Sequence, residues 1–164
     1  MVSLPIDDAK LHVRPLVRDE VVYVSADPER TRNPVTMERL AGAPLVFYDA
    51  ESADSDPIRR QLAERAQADG VTLRPRVEVE FMDLALRLVA EGIGDTYLPS
   101  AHTRAPGYPD GLSPVPFAPA LHDTFAVITR RAARLSPGAR ELISDLKAHM
   151  QAVALELDRS PGVS

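Results

Sequence analysis

Leu84-Ala85-Leu86-Arg87-Leu88-Val89-Ala90-Glu91-Gly92-Ile93-Gly94-Asp95-Thr96-Tyr97-Leu98-Pro99 reads as a helix, a stop and a short strand in direct succession. Phe81, Leu84, Ala85, Leu88 and Val89 fall at i, i+3, i+4, i+7 and i+8, the spacing of one apolar helix face. Gly92 suits the position just past a helix end, where a left-handed backbone costs glycine least. Pro99 closes a strand too short to stand outside a larger sheet. A helix feeding a strand this tightly is half of a crossover unit, and predicts a parallel α/β sheet.

The rest of the chain extends that pattern in both directions. Val2 to Pro5 predicts a strand. Leu11 to Ala26 predicts a longer one, with Val13, Val17, Val21, Val22 and Val24 supplying β-branched density. Thr36 as N-cap and Gly42 as stop frame a short helix, Met37 to Ala41. Leu45 to Tyr48 is a buried-strand run, and residues 49 to 55 form a polar loop. Asp56-Pro57 opens a helix to Ala68, with Ile58, Leu62 and Ala66 inward and Gly70 beyond its end. Arg74 to Glu80 alternates charge with Val77 and Val79, a strand with one wet face. Strands follow at Leu112 to Phe117 and Asp123 to Arg130. A last helix starts at Ser136-Pro137, with Ala139, Leu142, Ile143, Leu146 and Met150 predicted inward. The tail from Asp158 is expected to fray.

The Leu-Val-x-x-Gly-x-Gly pattern, with apolar residues and Pro99 after it, resembles a segment near the end of the effector-binding domain of LysR-type transcriptional regulators. The order around it strengthens the resemblance. Val17-Arg18-Asp19-Glu20-Val21-Val22-Tyr23-Val24 is similar to the family's central strand. Val35 to Ala41 and Pro44-Leu45-Val46-Phe47-Tyr48 are similar to its next helix and strand. Phe125 to Arg131 and Leu135-Ser136-Pro137-Gly138-Ala139 are similar to its last strand and last helix. The resemblance covers residues 2 to 150 or so. It implies an α/β, periplasmic-binding-protein-like (type 2) effector domain of two lobes, one of them incomplete. The middle, 27–111, would be the second lobe; the ends, 1–26 and 112–157, would meet as a partial first lobe, with 158–164 a disordered tail. A small-molecule effector would lie in the cleft between lobes, and lobes would dimerise, either as a homodimer or with a related regulator. A relative begins with a winged helix-turn-helix; the match here starts inside the effector domain, so an N-terminally truncated chain without its own DNA reader is expected.

Bulk properties agree with a folded, aliphatic domain. The 164 residues are 45% hydrophobic but only 5% aromatic, with no tryptophan, so Leu, Val and Ala must build the core. A net charge of −5 repels phosphate, so direct nucleic-acid binding by this chain is not expected. Without cysteine there are no disulfides, thiolate metal sites or cysteine nucleophiles. No secretory leader or apolar run of membrane-spanning length is visible, and a cytoplasmic location is expected. The four histidines, His12, His102, His122 and His149, lack metal-ligand spacing. No nucleophile elbow is present, and Gly92-Ile93-Gly94 ends a helix instead of opening one, so it is no dinucleotide fingerprint. Neither a catalytic residue nor a cofactor is expected, and the chain is not expected to be an enzyme.

The candidate binding residues are Ser3, Leu4, Pro5, Tyr48, Asp49, Ala50, Glu51, Ser52 and Phe81. The turn after Tyr48 stands between a strand and a helix, where open α/β sheets bind ligands. The resemblance places that turn on one wall of the effector cleft and Ser3-Leu4-Pro5 on the other. Both stretches also fit a plain solvated loop and a plain strand end. Phe81 stands where the family often has a capping serine; its ring is expected either at the cleft or in the core. The turn is acidic, with Asp49, Glu51, Asp54 and Asp56, which disfavours an anionic effector and favours a neutral or cationic one, or none. Glu78 and Glu80 share a strand face with Arg74 and Arg76, so a solvated charge ladder is expected there. The alternative to a sensor is an interaction fragment with no effector, acting through a full-length partner or vestigial.

Overall fold

The computed structural model describes residues 2–3, 11–52, 55–130 and 135–159 of the chain. Six strands and four α-helices follow in the order β1 (Val2–Ser3), β2 (Leu11–Ser25), α1 (Met37–Ala41), β3 (Leu45–Phe47), α2 (Pro57–Ala68), β4 (Pro75–Glu78), α3 (Met82–Ala90), β5 (Thr96–Pro99), β6 (Ser113–Arg130) and α4 (Pro137–Arg159). Short 3-10 turns occupy Ala50–Ser52 and Ser100–Arg104. The chain packs as two compact units: Glu20–His122, and the two ends, Met1–Asp19 with Asp123–Ser164. The divisions fall within β2 and β6, whereas the sequence placed its lobe boundaries near residues 26 and 112.

The middle unit is built on β5, β3 and β4. β3 and β4 run parallel, with Val46 opposite Val77 and Phe47 opposite Glu78. β5 lies on the other side of β3 through a parallel bridge from Leu45 to Asp95 and the Val46 amide, which donates to the Asp95 carbonyl at 2.8 Å. β2 joins antiparallel, Val21 to Val24 opposite Pro99 to Thr96. Alternation along these strands separates two cores. Val21, Tyr23 and Tyr97 pack with Met37, Leu40 and Leu62 on one face. Val22, Val24 and Leu98 pack with Leu86 and Val89 of α3 on the other. Helices therefore cover both faces, which is why β3 and β5 are buried at every position.

Helix ends follow their caps. Thr36 accepts from the Arg39 amide at 3.3 Å and Asp56 from the Arg59 amide at 2.6 Å. At the end of α3, Gly92 has φ +73, its amide donates to Val89 and that of Ile93 to Leu88. This pair of bonds is a Schellman motif, with glycine at the left-handed position.

Four expectations need correction. First, the buried stripe of α3 is Ala85, Leu86 and Val89 with Met82 half-buried, itself an i, i+3, i+4, i+7 series. Phe81 is 70% exposed and Leu84 45% exposed, because Phe81 is the N-cap and stands outside the helix. Second, the two strands expected after residue 112 are one, β6. Third, Ala139, Ile143, Leu146 and Met150 of α4 are half-buried and Leu142 is 69% exposed, so the predicted inward face is only partly covered. Fourth, α4 continues through Asp158 to Arg159; residues 160–164 lie outside the described residues. In the unit formed by the ends, β1 pairs antiparallel with β6, Val2 opposite Ala126 and Ser3 opposite Phe125.

Candidate functional site

β3 ends at Phe47, and the chain then turns sharply over the ends of β3 and β4. Tyr48 is buried, Asp49 takes φ +56, and Ala50–Ser52 forms a single 3-10 turn. A left-handed backbone at a non-glycine residue carries a small strain, least for Asn and Asp, so an aspartate is well chosen here. The turn is tied to the segment leaving β4. The Asp49 amide donates to the Glu80 carbonyl and the Ala50 amide to the Val79 carbonyl, each at 3.2 Å. The Glu51 amide donates to the Glu80 side chain at 2.9 Å.

Arg59, in the first turns of α2, organises the other side. Its guanidinium forms an ion pair with Glu78 at 2.8 Å and lies 4.9 Å from the centre of the Phe47 ring. It also donates to the Tyr48 carbonyl at 3.4 Å. Beside this pair runs an open groove of about 620 Å³, lined by Phe47, Arg59, Ala63, Thr72, Pro75 and Glu78 among others. Arg74, Arg76 and Glu78 are exposed in alternation, as a wet strand face requires, and within it Glu78 pairs with Arg59, Glu80 accepts from the Glu51 amide and Arg76 donates to the Ile93 carbonyl.

Tyr97 of β5 is wholly buried against both aromatic residues, its ring 5.3 Å from Phe47 edge-on and 5.2 Å from Tyr48. Its hydroxyl has no hydrogen-bond partner among the described residues. Burial pushes its pKa far above the ordinary 10; Asp56, Asp49 and Glu78 push the same way, and Arg59 opposes them. The Asp49 carboxyl is also raised, first by burial, then by Asp56 and Glu80, with Arg59 again opposing. Among the described residues Asp49, Asp56 and Glu80 have no cationic partner at salt-bridge distance, so the turn carries an excess of negative charge.

Of the sequence candidates, the structure brings Tyr48, Asp49, Ala50, Glu51 and Ser52 together in this turn. Tyr48 contributes its backbone, since its ring is in the core. Phe81 is solvent-exposed at the start of α3 and makes no side-chain cap; the core-facing option for it is overturned. Ser3 is paired in β1 within the other unit, and Leu4 and Pro5 lie outside the described residues. Sequence reasoning assigned no site role to Arg59 or to Tyr97. Arg59 carried a signal, three residues after a capping Asp; Tyr97 carried none, since a strand tyrosine reads as core.

A second polar cluster was also missed. Asp95, 1% exposed, accepts from the Tyr23 hydroxyl at 2.6 Å, the Ser25 hydroxyl at 2.5 Å and Arg30 at 2.6 Å. Burial and the Asp95 bond hold the Tyr23 phenol far above its usual range, and the same carboxylate raises Arg30. Both Asp95 oxygens and the Tyr23 and Ser25 hydroxyls are bonded within the protein, which reads as a structural lock joining β2 to β5. Among the described residues no group of three His, Asp or Glu could hold a metal, and no helix is long and apolar enough to cross a membrane.

Solved structures share this architecture. The regulatory domain of Synechocystis PCC6803 CcmR, in complex with 2-PG, superposes with a TM-score of 0.76 at 16% identity, covering 91% of this chain and 71% of that one. The BenM effector binding domain with its effector benzoate gives 0.71 at 19% identity, covering 98% and 71%. The effector binding domain of QuiR in complex with shikimate gives 0.72 at 16% identity, covering 92% and 70%. Among curated proteins, none matches the chain by sequence. The family model described as LysR substrate binding domain matches residues 1–151. The α/β sheet with helices on both faces, the glycine-ended α3 feeding β5, and that match together establish that this chain belongs to the LysR substrate-binding domain family, with its periplasmic-binding-protein-like (type 2) fold.

Proposed function

We propose that the chain is a small-molecule sensor, and that its effector contacts the turn Tyr48–Ser52 and the exposed ring of Phe81. LysR substrate-binding domains are parts of transcription regulators, and solved relatives of this fold hold 2-PG, benzoate or shikimate. The observation that carries the reading is the turn itself: a left-handed Asp49 pinned at the carboxyl ends of β3 and β4, where α/β sheets take their ligands. Ser3, Leu4 and Pro5 are proposed as a further set of effector contacts, contributed by the first lobe. The effector acts by population shift, so it must bind one arrangement of the regulator more tightly than another. No catalytic step is assigned to any residue. A thermal-shift screen over amino acids, aromatic acids, amines and neutral polyols tests the reading. At least one class should raise the melting temperature in a saturable way; a flat response across every class counts against a sensor.

A second reading has one observation in its favour. Phe81, Leu84 and Ile93 are exposed apolar residues at or beside α3. They suit pairing with a second copy or a related regulator. Size-exclusion chromatography with light scattering should then show a dimer, and a strict monomer at high concentration argues against it.

A further inference from the structure

Two arginines near the start of β3 are held by the protein in different ways. Arg30 is bonded to acids, its guanidinium meeting Asp95 at 2.6 Å and Asp27 at 3.3 Å. Arg39, on α1, is bonded to backbone alone. It donates to the carbonyls of Asn33 at 2.9 Å, Pro34 at 3.0 Å and Arg30 at 2.9 Å. Among the described residues no carboxylate stands at salt-bridge distance from Arg39, so its charge is fixed in place and left unneutralised. A guanidinium carries five N–H donors, and these three bonds leave two of them without a partner among the described residues. Both arginines line one open pocket of about 220 Å³, completed by Tyr23, Val35, Gly42 and Ala43. Gly42 and Ala43 lead into β3, so the pocket lies at the amino end of the strand whose other end carries the Tyr48–Ser52 turn.

We propose that this pocket binds a small organic carboxylate. The two remaining N–H groups of Arg39 take the carboxylate oxygens, since the planar guanidinium fork matches that group. Tyr23, Val35 and Ala43 supply apolar surface for the carbon portion. The three carbonyl bonds already hold the Arg39 side chain, so little rotamer freedom is left to lose on binding. Asp27 and Asp95 are engaged with Arg30, whereas Arg39 has no such acid, and that uncompensated charge makes an anion the favoured guest and a cation the disfavoured one. Bracing the 30–34 segment accounts for the three carbonyl bonds, but it leaves the unneutralised charge beside the pocket without a purpose. This site is separate from the turn and does not rest on the sensor reading.

The test titrates the full chain with isobutyrate, with isopropylamine of the same carbon skeleton, and with inorganic phosphate, at constant ionic strength in sodium chloride. Binding is read from the nitrogen-15 signals of the Arg39 Nε–H and of the Gly42 and Ala43 amides. Isobutyrate should move these signals saturably, and isopropylamine should not. Arg39→Lys keeps the charge and loses the fork, so it should weaken isobutyrate about tenfold. Gly42→Leu keeps both arginines: the backbone there has φ −85, and a β-carbon would meet only ordinary contacts at 3.7 and 3.8 Å. Its side chain takes up room in the pocket, so it should weaken isobutyrate about tenfold as well, with the fold intact. Should Arg39→Lys unsettle the 30–34 segment, the Gly42→Leu result decides. Phosphate binding more tightly than isobutyrate overturns the carboxylate assignment. Shifts that never saturate, that chloride suppresses mole for mole, or that Gly42→Leu leaves unchanged show charge screening without a site and overturn the proposal. Each of these failures leaves the reading of the Tyr48–Ser52 turn standing, because the signals followed belong to the other end of β3.

Discussion

Gly94 sits so close to the Pro44 carbonyl that a β-carbon at residue 94 would overlap that oxygen and press on Val46. The contact exists because Asp95 donates its amide to the same carbonyl at 2.8 Å, drawing the chain that leaves α3 onto the start of β3. The two glycines of the Gly92-Ile93-Gly94 stop therefore serve different ends. Gly92 supplies a left-handed backbone with open space around it, and Gly94 supplies the absence of a side chain.

Alanine at the two positions should separate these roles. Gly92→Ala should cost about 1 kcal/mol, the conformational penalty alone. Gly94→Ala should cost about 3 kcal/mol, because backbone must move to admit the methyl group. Urea denaturation of both variants checks the order. Equal midpoints would show that the Pro44 contact can relax.

Asp95 locks β2 to β5 from an almost fully buried position. Asp95→Ala strands the Tyr23 and Ser25 hydroxyls and Arg30 together, and is expected to destabilise the fold by about 3–5 kcal/mol. Tyr23→Phe removes one donor of the set and should cost about 1–2 kcal/mol. A double-mutant cycle on the two should give a coupling energy above ~0.5 kcal/mol, and simple additivity would show that the bond contributes little.

Asp49 makes stability pH-dependent in a direction opposite to the usual carboxylate. Its folded-state pKa is raised above the ordinary 3.8, so the ionised form is the one the fold resists. The penalty is absent below 3.8 and complete above the raised value, so this group lowers stability as pH climbs through that window. Asp49→Asn removes it, and asparagine tolerates the left-handed backbone at least as well. The variant should melt ~1–2 °C higher at pH 7 and no higher at pH 3.5, the effect being small because the carboxylate is partly solvated. A gain that persists unchanged at pH 3.5 would assign it to the backbone instead.

Phe81 is an N-cap without a capping side chain, and its ring is largely in solvent. Phe81→Ser should therefore stabilise the protein by about 1 kcal/mol, since a hydroxyl gains the first-turn amides and little buried surface is lost. If the ring also lines the effector site, the same change weakens ligand binding, so stability and affinity would move in opposite directions. A loss of stability would place the ring in a packed contact.

Much of this fold is legible in local residue chemistry. Thr36, Asp56 and Gly92 announce their helix ends because a cap bond or a left-handed φ is decided within four residues. Leu45 to Tyr48 and Thr96 to Pro99 announce buried strands because a sheet covered on both faces leaves no polar side to alternate with. The acidic turn between β3 and α2 could be picked out for the same reason, as a strand-to-helix junction in an α/β chain. Tertiary structure alone decided the rest. Whether Phe81 or Met82 begins the buried face of α3 depends on where the cap falls. Whether residues 112 to 130 are two strands or one depends on what extended backbone lies beside them. The Arg59 bridge to Glu78 and the Asp95 lock join residues nineteen to seventy-two positions apart. Such partners are chosen by the packing of whole elements, and no pattern of spacing along the chain encodes them.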